Sequence, residues 1–399
     1  MVKDGGMKIL FVYAKDTTVK DIPVTLCRLG YEVKEYPVKQ DADVLNDEQI
    51  DGLVKTIREQ QITHLFSIYL IYNLAVAADR TGVKYISYIW DAPYIKLYTP
   101  FGRLHNCYYS VFDRLDYERF QSDGIPHVQY SPLAVNPWNV NKWNSKAAVK
   151  LKRGYIYDIC FVGSLYENNL YDEHINDIPP NMQDYFVSIF EEAAFRWDGI
   201  NRIYGKTGKE ILEYMYLVNP NLKMNNRMDM DDVQVFERLY LVRKIANIER
   251  IAILSMLSEE YKVTLHTASD VNKNLLGNVK VKPPISLGED TTRVFAGSKI
   301  NLNISLKGIE GGTPQRVMDV MAAGGFMLTN YCPETADLFE EDKEIVMFKT
   351  PEELFDKVDY YLKHEDVREM IAKKGQNKVL ECYTYEKKLK KIMDWVEGD

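Results

Sequence analysis

Residues 305–331, SLKGIEGGTPQRVMDVMAAGGFMLTNY, read as the middle of a strand–loop–helix–strand unit. The apolar run KINLNIS (299–305) enters a loop holding Gly308, Gly311 and Gly312. Thr313 stands where a helix cap is needed, and Pro314 where a first helical residue is favoured. A helix to about Ala323 follows, and Gly324 and Gly325 stop it before FMLTNY (326–331) begins the next strand. A glycine loop opening a helix presents backbone N–H groups and the positive end of the dipole, which suits phosphate. Arg316 adds a fork of donors for phosphate oxygens. Its charge opposes the dipole there, which favours a ligand role. Asp319 shares its helical face and is placed to accept hydrogen bonds from sugar or ribose hydroxyls; Gln315 joins the same group. The stretch is equally an ordinary Gly-rich turn before a helix, and spacing alone does not choose.

Working outward, short apolar runs alternate with helical stretches on both sides. Before the unit lie YDICFVGS (157–164), KVTLHTAS (262–269) and VKVKPP (279–284); after it come EIVMFK (344–349) and helices over about 351–363 and 366–380. The first 150 residues repeat the pattern with KILFVYA (8–14), VKEYPV (33–38), HLFSIYL (64–70), KYISYIW (84–90), CYYSVF (107–112) and HVQYSPL (127–133). Continuous apolar strands alternating with helices imply parallel, doubly wound sheets. Residues 136–153, rich in Asn, Lys and Trp, read as a linker or surface crossing. Residues 166–260 read as mainly helical, with 3.6-type spacing through Val233, Phe236, Leu239, Tyr240 and Ile245. The expected architecture is α/β with two Rossmann-like domains. The first spans 1–153; the second spans 154–383 and carries the helical insertion. The final helix, about 384–399, is expected to pack back on the first domain, and ligands to lie outside the strands' carboxyl ends in a cleft between the halves.

Composition narrows the class. The 399 residues carry a net charge of −8, with 46% hydrophobic and 27% charged residues, which fits a folded protein and argues against a dedicated nucleic-acid binder. The five cysteines form no CxxC pair, so neither a disulfide framework nor a zinc site is expected. No signal peptide or membrane span is read, and the expected location is cytoplasmic. The last helix carries a lysine-rich face that fits solvent or peripheral contact with an anionic membrane. Asp229-Met230-Asp231-Asp232 contains a D-x-D pattern suited to a metal-held diphosphate, but it precedes a long helix where acidic capping explains it; no metal is expected.

The pattern G-x-P-x-R-V-x-(D/E)-x-M-A-A-G-G-F-x-L-T, with the segment LFEEDKEIVMFKTPEELFDKVDYYLKHEDVREMIAKKGQNKVLECYTYEKKLKKI that follows it, resembles the spore maturation protein CgeB and YkvP glycosyltransferase-like family. YDICFVGSLYENN (157–169) and YIWDAPY (88–94), with residues 111–137, agree. The resemblance implies a bacterial group 1 glycosyltransferase of GT-B fold. It implies that Asp319 holds the donor's ribose or sugar, that Arg316 and the Gly311–Gly312 loop sit at the diphosphate, that Gly163 and Ser164 end the donor domain's first strand, and that His266 and Thr267 contact the base. Group 1 enzymes often pair two glutamates with seven residues between them. Here Asp319 replaces the second, Gly311 holds the register of the first, and Glu310 is one position out.

Asp91, directly after a strand, is the candidate base that takes the acceptor's proton; an Asp before Ala-Pro is also ordinary turn chemistry. Tyr13, Asn73 and His105 are further acceptor-side candidates. The reading is metal-independent transfer of a hexose or amino sugar from a nucleotide-sugar donor, such as a UDP-sugar, to a protein or glycan acceptor. No cofactor is expected, and residues 166–260 are expected to shape the acceptor side. A non-catalytic nucleotide-sugar-binding protein of the same shape is the alternative, and a sugar-nucleotide epimerase a third.

Overall fold

The computed structural model describes residues 6–14, 21–38, 44–150, 154–174, 180–223, 228–286 and 288–398, without the side chains of 144–150 and 221. The chain divides into two compact units. The first holds residues up to 136, the short piece 227–229 and residues from 382 onward; the second holds the rest.

In the first unit, strands β1 (Lys8–Ala14), β2 (Glu32–Val38), β3 (His64–Ile68), β4 (Lys84–Ile89), β5 (Cys107–Val111) and β6 (Val128–Tyr130) form one sheet in the order β2-β1-β3-β4-β5-β6. Every pairing is parallel. β5 is buried along its whole length, so its apolar run is continuous rather than alternating. The helix Tyr385–Gly398 belongs to this unit and buries Leu389, Ile392, Met393 and Val396, the 3.6-spaced stripe read from sequence. Lys84 Nζ reaches its carbonyl at Val396, 2.7 Å away.

The second unit holds β7 (Tyr157–Val162), β8 (Val263–His266), β9 (Lys280–Lys282), β10 (Ser298–Asn303), β11 (Met327–Asn330) and β12 (Val346–Phe348), ordered β12-β11-β10-β7-β8-β9 and again parallel throughout. Counted from β7, this is the 3-2-1-4-5-6 order of a dinucleotide-binding sheet, and the order reverses between β7 and β10. Its core includes Ile159, Phe161, Ile300, Leu302, Leu328 and Val346. The stretch 166–260 is mainly helical and has a core of its own around Phe186, Phe190, Leu212, Met215, Phe236 and Ile245. The long helix Val242–Glu260 carries it back to the sheet through Ile253, Leu254 and Leu257.

Two sequence expectations change. Residues 137–150 are a helix, not a linker, and belong to the second unit, where they pack on the helix Glu289–Ala296. Pro137 opens that helix at a position proline favours, while its Asn and Lys content disguised it. Thr313 does not cap the helix Gln315–Ala322; Pro314 takes the cap position. The Thr313 hydroxyl is buried against Thr335 Oγ1, 2.9 Å away, and so is spent on the neighbouring helix. The helix end is as read: Gly324, at φ +77°, takes the left-handed conformation that stops it. Among the described residues, no helix is long and apolar enough to cross a membrane.

Candidate functional site

Ligands of such sheets sit outside the carboxyl ends of the strands at the reversal of order. In the second sheet that point lies between the end of β7, followed by Gly163, and the end of β10, at Asn303. The structure brings Arg316 to both. Its Nη1 donates to Asn303 Oδ1 at 3.0 Å. Its Nη2 crosses Gly163 so closely that a Cβ there would stand 2.4 Å away. Asn303 is fully buried and braced by Ser305 Oγ and Thr329 Oγ1, each 2.9 Å from its Nδ2. Its amide is thereby oriented to present oxygen to the arginine.

A second arginine, absent from the sequence reading, completes the point. Arg250 projects from the helix Val242–Glu260 and is 3% exposed. It donates from Nη1 to Ser164 O at 2.6 Å and from Nε and Nη2 to Ile304 O at 3.0 and 2.6 Å. It therefore ties the loop after β7 to the end of β10. Both guanidiniums lie near the Phe161 ring, at 5.4 and 5.2 Å, and Arg250 also covers Tyr166 at 4.7 Å. Neither arginine forms an ion pair among the described residues. Burial, and then the charge of Arg250, bring Arg316 down to about 10; burial likewise lowers Arg250. Two adjacent cations without a carboxylate clamp are costly unless an anion joins them.

Asp319, half-buried one turn along, accepts a 2.8 Å hydrogen bond from Gln315 Nε2. Burial raises its carboxyl to about 6, against the lowering effects of Gln315 and Arg316. The Gly311–Gly312 loop is buried, and the Cys332 thiol packs against Gly312 O at 3.6 Å.

Across β7, residues 162–164, 266–269, Pro284 and Ile285 line an open pocket. Ser164 builds its floor by accepting from Tyr166 N at 2.9 Å, and Thr267 by accepting from Ser269 N at 3.0 Å. His266 lines the pocket with both ring nitrogens already engaged: Nδ1 with Pro283 O at 2.9 Å and Nε2 with Tyr157 Oη at 3.1 Å. Burial lowers its pKa, and both ring nitrogens are fastened to the protein's own scaffold.

The first-unit candidates separate. Asp91 is exposed just beyond the end of β4. It hydrogen-bonds the phenol of Tyr69, whose pKa is raised first by burial and then by the Asp91 charge. Tyr69 follows β3 at φ +63°, a left-handed backbone that is uncommon for such a residue. Its carbonyl is held by Ser67 Oγ at 2.7 Å and Tyr85 Oη at 3.2 Å. Tyr13 lies near the carboxyl end of β1, stacked on Phe11. Asn73 is fully buried; its Oδ1 accepts from Asn46 N at 3.0 Å and its Nδ2 donates to Gln49 Oε1 at 2.5 Å. It braces a helix start. His105 precedes β5, at the opposite end of the sheet, against His127. The D-x-D pattern also resolves structurally: Asp229 pairs with Arg103 at 2.9 Å, and Asp231 caps the following helix through Val233 N.

Residues 243–394 match the family described as Glycosyl transferase-like. No curated protein matches the chain in sequence. In three dimensions the chain is similar to a glycosyltransferase from Rickettsia africae ESF-5, with a TM-score of 0.57 and 10% identity over 98% of both chains. Anabaena Alr3699/HepE, solved in complex with UDP-glucose, gives 0.54 and 11% over 98% of this chain and 100% of its own. The sucrose-phosphate synthase of Thermosynechococcus elongatus gives 0.57 and 8% over 98% of both. With its two parallel sheets, each flanked by helices, the chain therefore has the GT-B fold, and its residues 243–394 carry the Glycosyl transferase-like match.

Proposed function

We propose that this chain is a glycosyltransferase of the CgeB-like branch, which moves a hexosyl group from a nucleotide-sugar donor to a protein or glycan acceptor without a metal or other cofactor. The supporting observation is the Arg316–Arg250 pair at the strand-order reversal, set above Gly163 and beside an uncapped helix start. That arrangement offers a diphosphate the Arg316 guanidinium, the nearby charge of the buried Arg250 and the positive end of a dipole, and those groups also stabilise the charge that grows on the leaving diphosphate. Asp319 is suited to ribose hydroxyls, and the pocket between Ser164 and Ile285 to the base. HepE, of the same fold, was solved with UDP-glucose. In the first unit Asp91 takes the acceptor's proton, with Tyr69 setting its orientation. A thermal-shift series with UDP, GDP and their sugar conjugates tests the reading, since a ligand that binds only the native state raises the melting temperature. A rise that disappears in Arg316→Ala is expected; the absence of any rise in the folded wild type would overturn the proposal.

A further inference from the structure

The amino edge of the second sheet, opposite the arginine pair, carries a pocket of its own. Tyr155, Ser298, Lys299, Arg368, Glu369 and Lys373 help to line it, and its volume is about 260 Å³. That lies just below the roughly 300–1,000 Å³ of pockets for drug-sized ligands, and so suits a compact molecule. Ser298 opens β10 and Asn303 closes it. At about 3.3 Å per residue, the pocket is therefore about 17 Å along the strand from the Asn303–Arg316 bond.

Arg368, near the start of the helix Glu365–Cys382, is 1% exposed. Its Nη1 donates to the carbonyls of Tyr361 and Leu362 at the end of the helix Pro351–Lys363, which fixes the plane of the guanidinium. Nε and Nη2 are buried with no hydrogen-bond partner among the described residues. The exposed Glu365 stands 3.7 Å from Nη2, beyond hydrogen-bond length and screened by water. Unmatched donors on a buried cation are costly, and the fork fits two oxygens of a carboxylate or phosphate.

Tyr155 shields that fork. Its ring centre lies 5.3 Å from the guanidinium carbon. Burial raises the phenol's pKa, and the Arg368 charge opposes the rise. The hydroxyl donates to the exposed Glu369 at 3.3 Å, a long bond. Gly154, just before it, has φ +93° and open space around it, so the backbone leaves the ring room to swing. Lys373 is exposed and donates to Gln376 Oε1 at 3.3 Å. Lys299 is matched by Asp158 at 2.6 Å. Among the lining charges this leaves Arg368 and Lys373 against Glu369.

We infer that this pocket is a second ligand site, separate from the donor site, for a compact organic oxyanion: a phosphate monoester or a carboxylate. Arg368 is its anchor, Lys373 its outer cation and Tyr155 its gate. With Tyr155 in place the fork is closed off. Swung aside, the ring opens Nε and Nη2 to the oxyanion, and the weak bond to Glu369 is all the hydroxyl gives up.

Thermal melts and calorimetry on the full chain carrying Arg316→Ala test this, because the variant discounts anions drawn to the donor site. The probes are glucose 6-phosphate and citrate, with glucose as the uncharged control. At least one anion is expected to bind and raise the melting temperature, and glucose to leave it unmoved; the stronger anion identifies the head group. Adding Lys373→Glu should weaken binding about tenfold, and adding Arg368→Met should abolish it. Arg368 also holds a helix end, so the exposed Lys373 keeps the test readable where Arg368→Met fails to fold. Adding Tyr155→Ala should leave affinity equal or higher, since the gate no longer has to open. Failure of both anions to bind the folded Arg316→Ala chain, or affinity unchanged by Lys373→Glu, overturns the inference and leaves the donor site standing. Glucose binding as well as its phosphate overturns the oxyanion class, and weaker binding in Tyr155→Ala overturns the gate.

Discussion

A methyl group on Gly163 would stand 2.4 Å from Arg316 Nη2 and 3.0 Å from its Cζ. The glycine therefore exists to let the guanidinium lie across the end of β7. Gly163→Ala is expected to push the arginine off Asn303 at a cost of about 1–3 kcal/mol in stability, as overpacking usually does. Nucleotide-diphosphate affinity should fall about tenfold, equivalent to about 1.4 kcal/mol. Calorimetry on the folded variant checks this; undiminished affinity would remove Arg316 as the anion anchor.

Arg250 and Arg316 should separate stability from binding. Arg250 serves two buried carbonyls, Ser164 O and Ile304 O. Arg250→Met strands both, at about 1–3 kcal/mol for each unsatisfied group. The melting temperature should drop by about 2–4 °C for each kcal/mol lost. Arg316→Met gives up one bond to Asn303 and relieves the repulsion from Arg250. It also strands the buried Asn303 Oδ1, so its melting temperature is expected to fall less than that of Arg250→Met while nucleotide binding collapses. Thermal melts with and without nucleotide read both effects; a strongly destabilised Arg316→Met would make that arginine chiefly a structural strut.

The twelve strands among the described residues, and the helices after residue 313 except Pro333–Leu338, were legible because buried parallel strands leave continuous apolar runs, and because proline and glycine punctuate the helices between them. Arg316 and Asp319 were legible because the chemistry sits beside that punctuation. Arg250 was not, although it interrupts the apolar stripe Ala246, Ile253, Leu254 and Leu257, a signal available for the reading. Asn303 had a similar signal as a polar residue in the run KINLNIS. The engagement of His266, the bracing role of Asn73 and the His105–His127 contact depend on partners 17 to 109, 24 to 29 and 22 residues away, respectively, which local pattern does not encode.

Asp319 gives the site a pH dependence whose sign can be worked out. Its folded value, about 6, lies above the ordinary 3.8 because burial disfavours the charged form. Its contribution to stability is therefore complete below about 3.8 and is lost as pH rises through about 6. Asp319→Asn should gain melting temperature relative to wild type across that window and keep the gain above it. Hydroxyl donors from a bound ribose favour the carboxylate, so wild-type affinity for a nucleotide sugar should rise through about pH 6. The sugar-linked diphosphate keeps its charge over this range, so the rise belongs to the protein. The variant should bind more weakly and lose that pH dependence. Melts and calorimetry between pH 4 and 8 test both limbs, and a wild-type affinity that is flat with pH would detach Asp319 from the ligand.

Asp91 is exposed and belongs to the first unit, whereas the residues assigned to donor binding belong to the second. Asp91→Asn should therefore leave stability within about 0.5 kcal/mol of wild type and nucleotide-sugar affinity unchanged. Loss of a general base should still cost about 10²–10⁴ in transfer rate. Tyr69→Phe removes a donor that stabilises the Asp91 carboxylate. The acid limb of its pH–rate profile should shift to higher pH, because a carboxylate that loses a hydrogen bond takes up its proton more readily. A purely structural role for Tyr69 would lower the rate equally at every pH. Transfer by Asp91→Asn at the wild-type rate would place the base elsewhere; loss of transfer with an unmoved pH limb in Tyr69→Phe would keep Asp91 as base and remove the tyrosine from its control.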